Sequence, residues 1–324
     1  MISICIPVYN FVVVDTVSAL LQEADQRGLP VEVVLFDDHS MPYYEQQNRV
    51  LRERPEVKYL PLIENIGRSR IRNRMADLAT GEWLLFMDCD MAPYDGGFLR
   101  KYAEMVASEH DVVCGGVYSG ERPDDPQLML RWRSDKLRAK HQKWLLQNTD
   151  RLLISTGNFM IRREVYQRVR FSESLTGYGQ EDQLFALELA RMGSSVVWID
   201  NPTLHLGEEP NEEFFAKMEQ SLVNLVRVWN ANPDFHREML RASRRLRAIH
   251  LLKCLRLSRP LRCLFRMARS HLRRYILSGR RSMMCFSLYQ SGYLMEAFSV
   301  PNLNRLAAAG LPMSYAESSV HDIT

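Results

Sequence analysis

Val33-Val34-Leu35-Phe36 runs directly into Asp37-Asp38, and Trp83-Leu84-Leu85-Phe86-Met87 runs directly into Asp88-Cys89-Asp90. A short, unbroken apolar run is the signature of a strand covered on both faces, which occurs where helices flank a parallel sheet. Carboxylates at the end of such a strand lie on the carboxyl rim of the sheet, where open α/β sheets bind their ligands. Two acidic groups on one rim point to a shared site. An Asp-x-Asp triplet alone is common by chance and reads as a solvated turn. Its place at the end of a buried strand, with two carboxylates that repel unless a cation lies between them, gives it weight.

The rest of the first two-thirds alternates in the same way. Strands are predicted at 2–6, 31–36, 57–60, 83–87, 112–117 and 195–199, with amphipathic helices between them. Helices at 16–26, 69–79 and 181–192 each run up to a glycine, Gly28, Gly81 and Gly193, where a left-handed C-terminal residue is favoured. A fourth, 211–229, closes the domain before Asn232-Pro233. This pattern predicts an α/β domain with a mostly parallel sheet over residues 1–230 and a basic, mainly helical region over 231–324.

Charge divides the chain at nearly the same place. Residues 1–238 hold 27 Lys and Arg against 36 Asp and Glu, whereas residues 239–295 hold 14 basic side chains and no acidic one. Over 261–276, Arg262, Arg266, Arg269 and Arg273 share one helical stripe, and Leu261, Leu264, Phe265, Ala268, Leu272 and Ile276 share another. The segment 241–281 suits an anionic membrane surface with arginines at the headgroups; packing on the acidic domain or on a second copy of the chain, as a homo-oligomer, is the competing reading. Nucleic acid is not the expected partner, because the segment lacks zinc-ligand spacing and interleaved aromatics. No apolar run reaches the roughly 20 residues of a spanning helix. The apolar start lacks a basic leader and a cleavage site, and the six cysteines form no C-x-x-C pair. Together these features predict a cytoplasmic protein with reduced thiols, peripheral on the inner membrane face if the basic segment binds lipid.

Paired carboxylates at a strand end suit Mg²⁺ or Mn²⁺, which takes one or two protein oxygens and fills its shell with phosphate oxygens and water. A phosphate-bearing substrate follows, and neither a P-loop nor a Gly-x-Gly-x-x-Gly turn is present to hold it. Arg68, Arg70 and Arg72 alternate across a loop and the start of a helix, a second anion contact unless they are surface arginines paired with nearby acids. Gly177-Tyr178-Gly179-Gln180 delivers Glu181 and Asp182 to the first turn of a helix. There a carboxylate either caps the helix or acts as a general base, and the helix terminus would favour its ionised form without a raised pKa. His205, past another strand end, is a candidate metal ligand facing Asp90.

These segments, in order, resemble the family-2 glycosyltransferases of the GT-A fold. The resemblance spans residues 2–207 and rests on Ile4-Cys5-Ile6-Pro7-Val8-Tyr9-Asn10, Val34-Leu35-Phe36-Asp37-Asp38-His39-Ser40, the stretch 65–73, the stretch 81–90, Gly157-Asn158-Phe159 and Gly177-Tyr178-Gly179-Gln180-Glu181-Asp182. It implies that Pro7, Tyr9, Asp38 and Arg72 surround the nucleoside, with Asp37 nearby. Asp88 would lie toward the ribose or the donor sugar, and Asp90 and His205 would hold Mn²⁺ or Mg²⁺ on the diphosphate. The last element is similar to the Gly-Trp-Gly-Gly-Glu-Asp loop of galactosyltransferases and chondroitin-type polymerases, which makes Asp182 the catalytic base and Glu181 an acceptor contact. His39, Cys89 and Tyr178 depart from the family's usual residues, and Tyr178 leaves the acceptor open.

What the resemblance implies is an inverting, metal-dependent transfer of a hexosyl or N-acetylhexosaminyl group. The donor is a nucleotide sugar, UDP-linked by the resemblance, and the acceptor is a hydroxyl of a saccharide or lipid-linked saccharide in polysaccharide or glycan assembly. A sugar-nucleotide-binding protein or nucleotidyltransferase without glycosyl transfer is the alternative.

Overall fold

The structure, a computed structural model, describes residues 1–118, 120–146, 154–207, 209–279, 283–300 and 303. The chain forms two compact units. The first comprises residues 1–121, 135–176 and 181–207; the second comprises 122–134, 177–180 and 208–324. In chain order the elements are β1 (Ile2–Val8), α1 (Val14–Arg27), β2 (Val31–Asp37), α2 (Pro42–Asn48), β3 (Val57–Pro61), α3 (Arg68–Leu78), β4 (Trp83–Met87), β5 (Met91–Pro93), α4 (Phe98–Met105), β6 (Val112–Cys114), β7 (Val117–Tyr118), α5 (Met129–Leu145), β8 (Asn158–Arg162), α6 (Arg163–Val169), α7 (Glu181–Arg191), β9 (Val196–Trp198) and β10 (Thr203–His205). The helices α8 (Asn211–Ala231), α9 (His236–Ala242), α10 (Arg244–Cys254), α11 (Ser258–Leu277) and α12 (Met283–Ala297) follow.

The first unit is built on a seven-stranded sheet in the order β3-β2-β1-β4-β8-β6-β9, parallel except at β8, beside a three-stranded sheet β5-β10-β7. Alternate residues of each strand feed opposite faces, as period-2 geometry requires. Ile2, Ile4, Ile6 and Val8 pack with Val17, Leu20 and Leu21 of α1 and with Phe98, Leu99 and Tyr102 of α4. Cys5, Val34 and Phe36 pack on the other face with Ile71 and Met75 of α3, Tyr166 of α6 and Phe185 of α7. With helices on both faces, β1 and β4 are adjacent and parallel at the centre while the order on either side runs in opposite directions. That reversal opens a crevice at their carboxyl ends. The α/β fold with a mostly parallel sheet and a helical C-terminal region is the one the sequence predicts.

Two local expectations are corrected. The single strand predicted at 112–117 is two strands in two sheets, because the chain turns at Gly115-Gly116. Gly116 has φ 81°, and a Cβ on Gly115 would stand 2.6 Å from both Asn158 Nδ2 and Tyr102 Oη. Second, α3 ends at Ala79 in extended conformation, so Gly81 does not cap it. Gly81 is needed instead for close approach, since a Cβ there would lie 2.8 Å from the Ser3 backbone nitrogen. By contact the two units meet at 207–208, where α8 packs with α11 and α12 in the second unit.

In the second unit, Phe215 of α8 lies against Tyr289 of α12 with ring centroids 4.7 Å apart, and Phe265 of α11 sits against Gly292, where no side chain would fit. The arginine stripe of α11 is turned toward these helices. Arg266 donates to Glu296 at 2.9 Å, Arg269 reaches Glu219 at 3.4 Å, and Arg273 lies 3.5 Å from Glu212. The sequence reading left these arginines between lipid headgroups and packing on protein; three of the four reach glutamates of α8 and α12. No helix among the described residues is long and apolar enough to cross a membrane.

The first unit carries a buried carboxylate of its own. Glu32 of β2 accepts from Ser3 Oγ at 2.5 Å, Lys58 Nζ at 2.7 Å and Thr80 Oγ1 at 2.8 Å, so it ties β1, β3 and the turn before β4 together. Burial opposes its charge, but these hydrogen bonds outweigh that and hold its pKa down to about 2. A depressed carboxylate adds stability above its unfolded pKa and loses it as pH falls through the folded one. Glu32→Gln is therefore expected to lower the stability of the protein by roughly 1–3 kcal/mol at neutral pH and to flatten its acid unfolding between about pH 4 and 2, read from denaturant midpoints across pH.

Candidate functional site

The rim of the first unit assembles from the ends of β1, β2 and β4 and the starts of α3 and α7. At β2, Asp37 accepts from the Ser40 backbone N–H and the Tyr59 hydroxyl, both at 2.8 Å. Asp38 accepts from the backbone N–H groups of Ile66 at 2.7 Å and Gly67 at 3.1 Å. Both carboxylates are buried and shape the loop that leads into α3. Burial, followed by the charge of Asp37, raises the pKa of Asp38 against the pull of those two N–H groups. Pro7 is half-buried in β1, and Tyr9 just beyond it is exposed, available to a ligand on the rim.

Arg72 of α3 is as deeply buried as Asp37, 1% exposed. Its Nη2 donates to Asp88 Oδ1 at 2.5 Å, its Nη1 donates to the Arg68 carbonyl at 3.2 Å, and its guanidinium lies 5.6 Å from the centroid of the Phe171 ring. The sequence expectation set Arg72 at the nucleoside; the structure commits it to Asp88. Arg68, one turn earlier and exposed, lies 3.8 Å from Glu181 at the start of α7. The arginines of α3 thus stand between the end of β4 and the first turn of α7.

Cys89, in the middle of the triplet, turns away from the rim and packs on the β1 side of the core. Burial pushes its thiol up to about 12, with Asp90 adding to the shift and the Tyr9 backbone opposing it. It is a neutral packing group. The flanking Asp88 and Asp90 are thereby left facing the crevice.

Asp90 and His205 meet. Antiparallel pairing of β10 with β5 sets His205 opposite Met91, the Leu206 N–H donates to the Asp90 carbonyl at 2.8 Å, and His205 Nε2 lies 3.1 Å from Asp90 Oδ2. Gly207 keeps the space around the pair open, since a Cβ there would stand 3.2 Å from His205 Cε1 and 3.3 Å from Asp90 Oδ2. One imidazole and one carboxylate form a donor set that fits Mn²⁺ or Mg²⁺ with most of the shell left to phosphate and water. Among the described residues no group of three or more His, Cys, Asp or Glu forms a fuller cage.

Asp182 is half-buried in the first turn of α7. Burial, with Glu181 next in weight, pushes its pKa up to about 6, against its own contact with the Gln183 N–H and the charges of Arg138 and Arg72. The sequence expectation was an unraised pKa at a helix N-terminus; lost hydration and the adjacent Glu181 outweigh that terminus. Arg138 of α5 was not anticipated, because a single arginine within an amphipathic helix carries no local signal.

In the second unit, the loop before α7 is held against α8. Gly177 and Gly179 have φ of 79° and 87°, a Cβ on Gly179 would meet Ser221 Oγ at 2.5 Å, and the Tyr178 N–H donates to Gln220 Oε1 at 2.9 Å. The two glycines are required by both sign of φ and close approach.

Removing Arg72 leaves a half-buried carboxylate and a vacant guanidinium site behind. Arg72→Ala is expected to lower stability by about 1–3 kcal/mol, measured as a shift of the denaturant midpoint at unchanged slope.

The family described as glycosyl transferase family 2 matches residues 3–170, just over half of the chain. Among solved structures, mannosyltransferase PcManGT from Pyrobaculum calidifontis, in complex with GDP-Man and Mn²⁺, is 16% identical over 93% of this chain and 86% of its own, with a TM-score of 0.56. S. aureus TarS 1–349 in complex with UDP is 22% identical over 68% of this chain with a TM-score of 0.45, and the match spans 64% of its length, less than two thirds. No curated protein matches by sequence. The likeness to PcManGT is one of fold.

Proposed function

The chain belongs to glycosyl transferase family 2, and on that premise we propose that it is an inverting, metal-dependent hexosyl- or N-acetylhexosaminyltransferase acting from a nucleotide-sugar donor on a saccharide or lipid-linked hydroxyl in glycan assembly. The observation that carries this is the convergence, on one rim of a GT-A-type sheet, of a two-ligand cation pair, Asp90 and His205, with arginines and a raised carboxylate at the start of α7.

Asp182 is the base. It accepts the proton of the acceptor hydroxyl as that oxygen bonds to the anomeric carbon. The bond from that carbon to the donor diphosphate breaks, and its electron pair leaves with the nucleoside diphosphate. Asp182 must be ionised to do this, so a pKa near 6 makes it an effective base at neutral pH and a stronger one than an ordinary carboxylate. Glu181 contacts the acceptor, and its neighbour Arg68 is the exposed guanidinium placed to meet donor phosphate. Pro7, Tyr9, Asp37 and Asp38 form the nucleoside side of the pocket, where the two carboxylates fix the loop before α3. Asp88, held by Arg72, faces the donor sugar, and Arg72 is a positioning residue. Asp90 and His205 would hold Mn²⁺ or Mg²⁺, and the cation when bound supplies positive charge at the departing diphosphate.

The donor we propose is a UDP-sugar, as the resemblance of the motifs implies; the GDP-Man of the fold neighbour PcManGT makes a GDP-sugar the first competitor. Catalysis belongs to the α/β portion of the proposed 1–230 domain. The free thiols at Cys5, Cys89, Cys114, Cys254, Cys263 and Cys285 support a reducing, cytoplasmic setting.

Incubation with a panel of nucleotide sugars is expected to release nucleoside diphosphate in an acceptor-dependent manner; binding of a donor without any release would reduce the protein to a sugar-nucleotide-binding module. Asp182→Asn is expected to keep donor affinity and lose about 10²–10⁴ in turnover. Wild-type turnover should rise with pH through about 6 and then level, and that rise should vanish in the variant. For the cation, Gly207→Ala is expected to shrink the melting-temperature increase produced by Mn²⁺ while sparing the fold. An unchanged increase would place the cation elsewhere.

A further inference from the structure

A helix on the surface of a water-soluble bundle normally buries its apolar stripe and shows its charges. In α11 the apolar residues divide between two faces: Phe265, Ile276 and Leu277 are buried, while others stay outside. Arg266, Arg269 and Arg273 are turned toward α8 and α12, where Glu296, Glu219 and Glu212 receive them. The stripe that remains on the outer face runs Leu257, Pro260, Leu264, Met267, His271 and Tyr275, at the three- and four-residue spacing of one helical face. Leu264 is 61% exposed and Met267 is 77% exposed. Only Phe265, Ile276 and Leu277 of this helix are buried.

The flanks of that stripe are basic. Arg256, Arg259 and Arg274 are exposed beside it, and residues 239–295 contain no acidic side chain to neutralise them. An apolar ridge bordered by arginines has two complementary occupants in principle, an anionic surface with an apolar interior or an acidic protein groove. A second copy of this chain is disfavoured, because two-fold pairing of the ridge would set the same arginines against each other.

We propose that the outer face of α11 is a membrane-docking surface that lies in the interface of an anionic bilayer, with Leu257, Leu264 and Met267 inserted among the acyl chains and Arg256, Arg259 and Arg274 at the headgroups. This differs from an arrangement in which the main arginine stripe meets the lipid: those arginines reach Glu296, Glu219 and Glu212, and the weaker basic flank is the lipid-facing one. At 20 residues, α11 is about 30 Å long and lies along the surface, since it is too polar to cross it. Such docking suits an enzyme whose acceptor is lipid-linked, yet it stands on the geometry of the second unit alone.

The test is co-sedimentation of the full chain with vesicles of phosphatidylcholine alone and of phosphatidylcholine with phosphatidylglycerol, without donor or acceptor, so that its outcome is independent of glycosyl transfer. The wild type should pellet with the anionic vesicles, bind the neutral ones at least tenfold more weakly, and lose binding in high salt. The double substitution Leu264→Glu with Met267→Glu should weaken binding to anionic vesicles tenfold or more at an unchanged melting temperature. Leu264→Ala with Met267→Ala, which adds no charge, should give a smaller loss and serves as the readout if the first variant unfolds. Wild type that stays in the supernatant, or variants that bind as the wild type does, would overturn the proposal. So would a wild-type dimer in light scattering that the glutamate variant converts to monomer without any vesicle binding, which would assign the ridge to a second copy.

Discussion

The ion pair between Arg72 and Asp88 is the contact on which the candidate site depends. A guanidinium that is almost fully buried is stable only if an anion and hydrogen-bond acceptors surround it, and Arg72 has Asp88 at 2.5 Å, the Arg68 carbonyl, and the Phe171 ring nearby. Through these contacts it fixes the end of β4 relative to the first turn of α3. Asp90 then follows Asp88 by two residues on a turn whose middle side chain, Cys89, is held in the core. The direction in which Asp90 points is therefore decided by a neighbour that takes no part in chemistry and a guanidinium that is itself out of reach of solvent. A surface arginine could not do this, because exposed ion pairs contribute little and hold no fixed geometry.

The same logic operates in the second unit with a different outcome. Glu219 is buried on α8, and burial raises its pKa despite hydrogen bonding from Tyr289 and the charge of Arg269. It needs cations, and α11 supplies them from the stripe that would otherwise have faced water. Once Arg266, Arg269 and Arg273 are turned toward the bundle, the opposite side of the helix is left with leucine and methionine. Phe265, Ile276 and Leu277 fill the inner side of α11 between these arginines, so its apolar residues are shared between the core and the outer face.

Much of this was legible in the sequence, and for identifiable reasons. Strands such as 83–87 are unbroken apolar runs, and helices such as α1 end at a glycine with φ 61°, so local chemistry alone marks them. Gly28 and Gly193 carry the positive φ that a helix end asks for, whereas Gly81 looked identical in sequence and answers to a long-range demand, the passage of β1 beside it. The break at Gly115-Gly116 was hidden for the same reason: it is forced by Asn158, Tyr102 and Asn201, residues distant in the chain. Asp90 and His205 could be suspected from strand ends but their meeting depends on β5 and β10, three-residue strands without any periodic signal. The facing of α11 stayed open in the sequence because helical periodicity reveals two stripes and not which contacts each makes; the arginine contacts depend on glutamates of other helices.

Asp182 shows how such distant demands reach the chemistry. A helix N-terminus stabilises a nearby carboxylate by about 0.3–1 kcal/mol when exposed and by at most about 2 kcal/mol when partly buried. That influence alone would leave Asp182 ionised at low pH and weakly basic. Packing of α7 onto the core through Phe185 and Leu189 draws its first turn away from water, and Glu181 is placed beside Asp182 by the chain itself. Both penalise the ionised form, and Arg72 and Arg138 reduce the penalty without reversing it, so the carboxyl settles near 6. The interior that holds α7 in place is thus also what makes its first carboxylates basic, and a substitution in that interior that let water reach the first turn would weaken the base while leaving every residue of the rim in place.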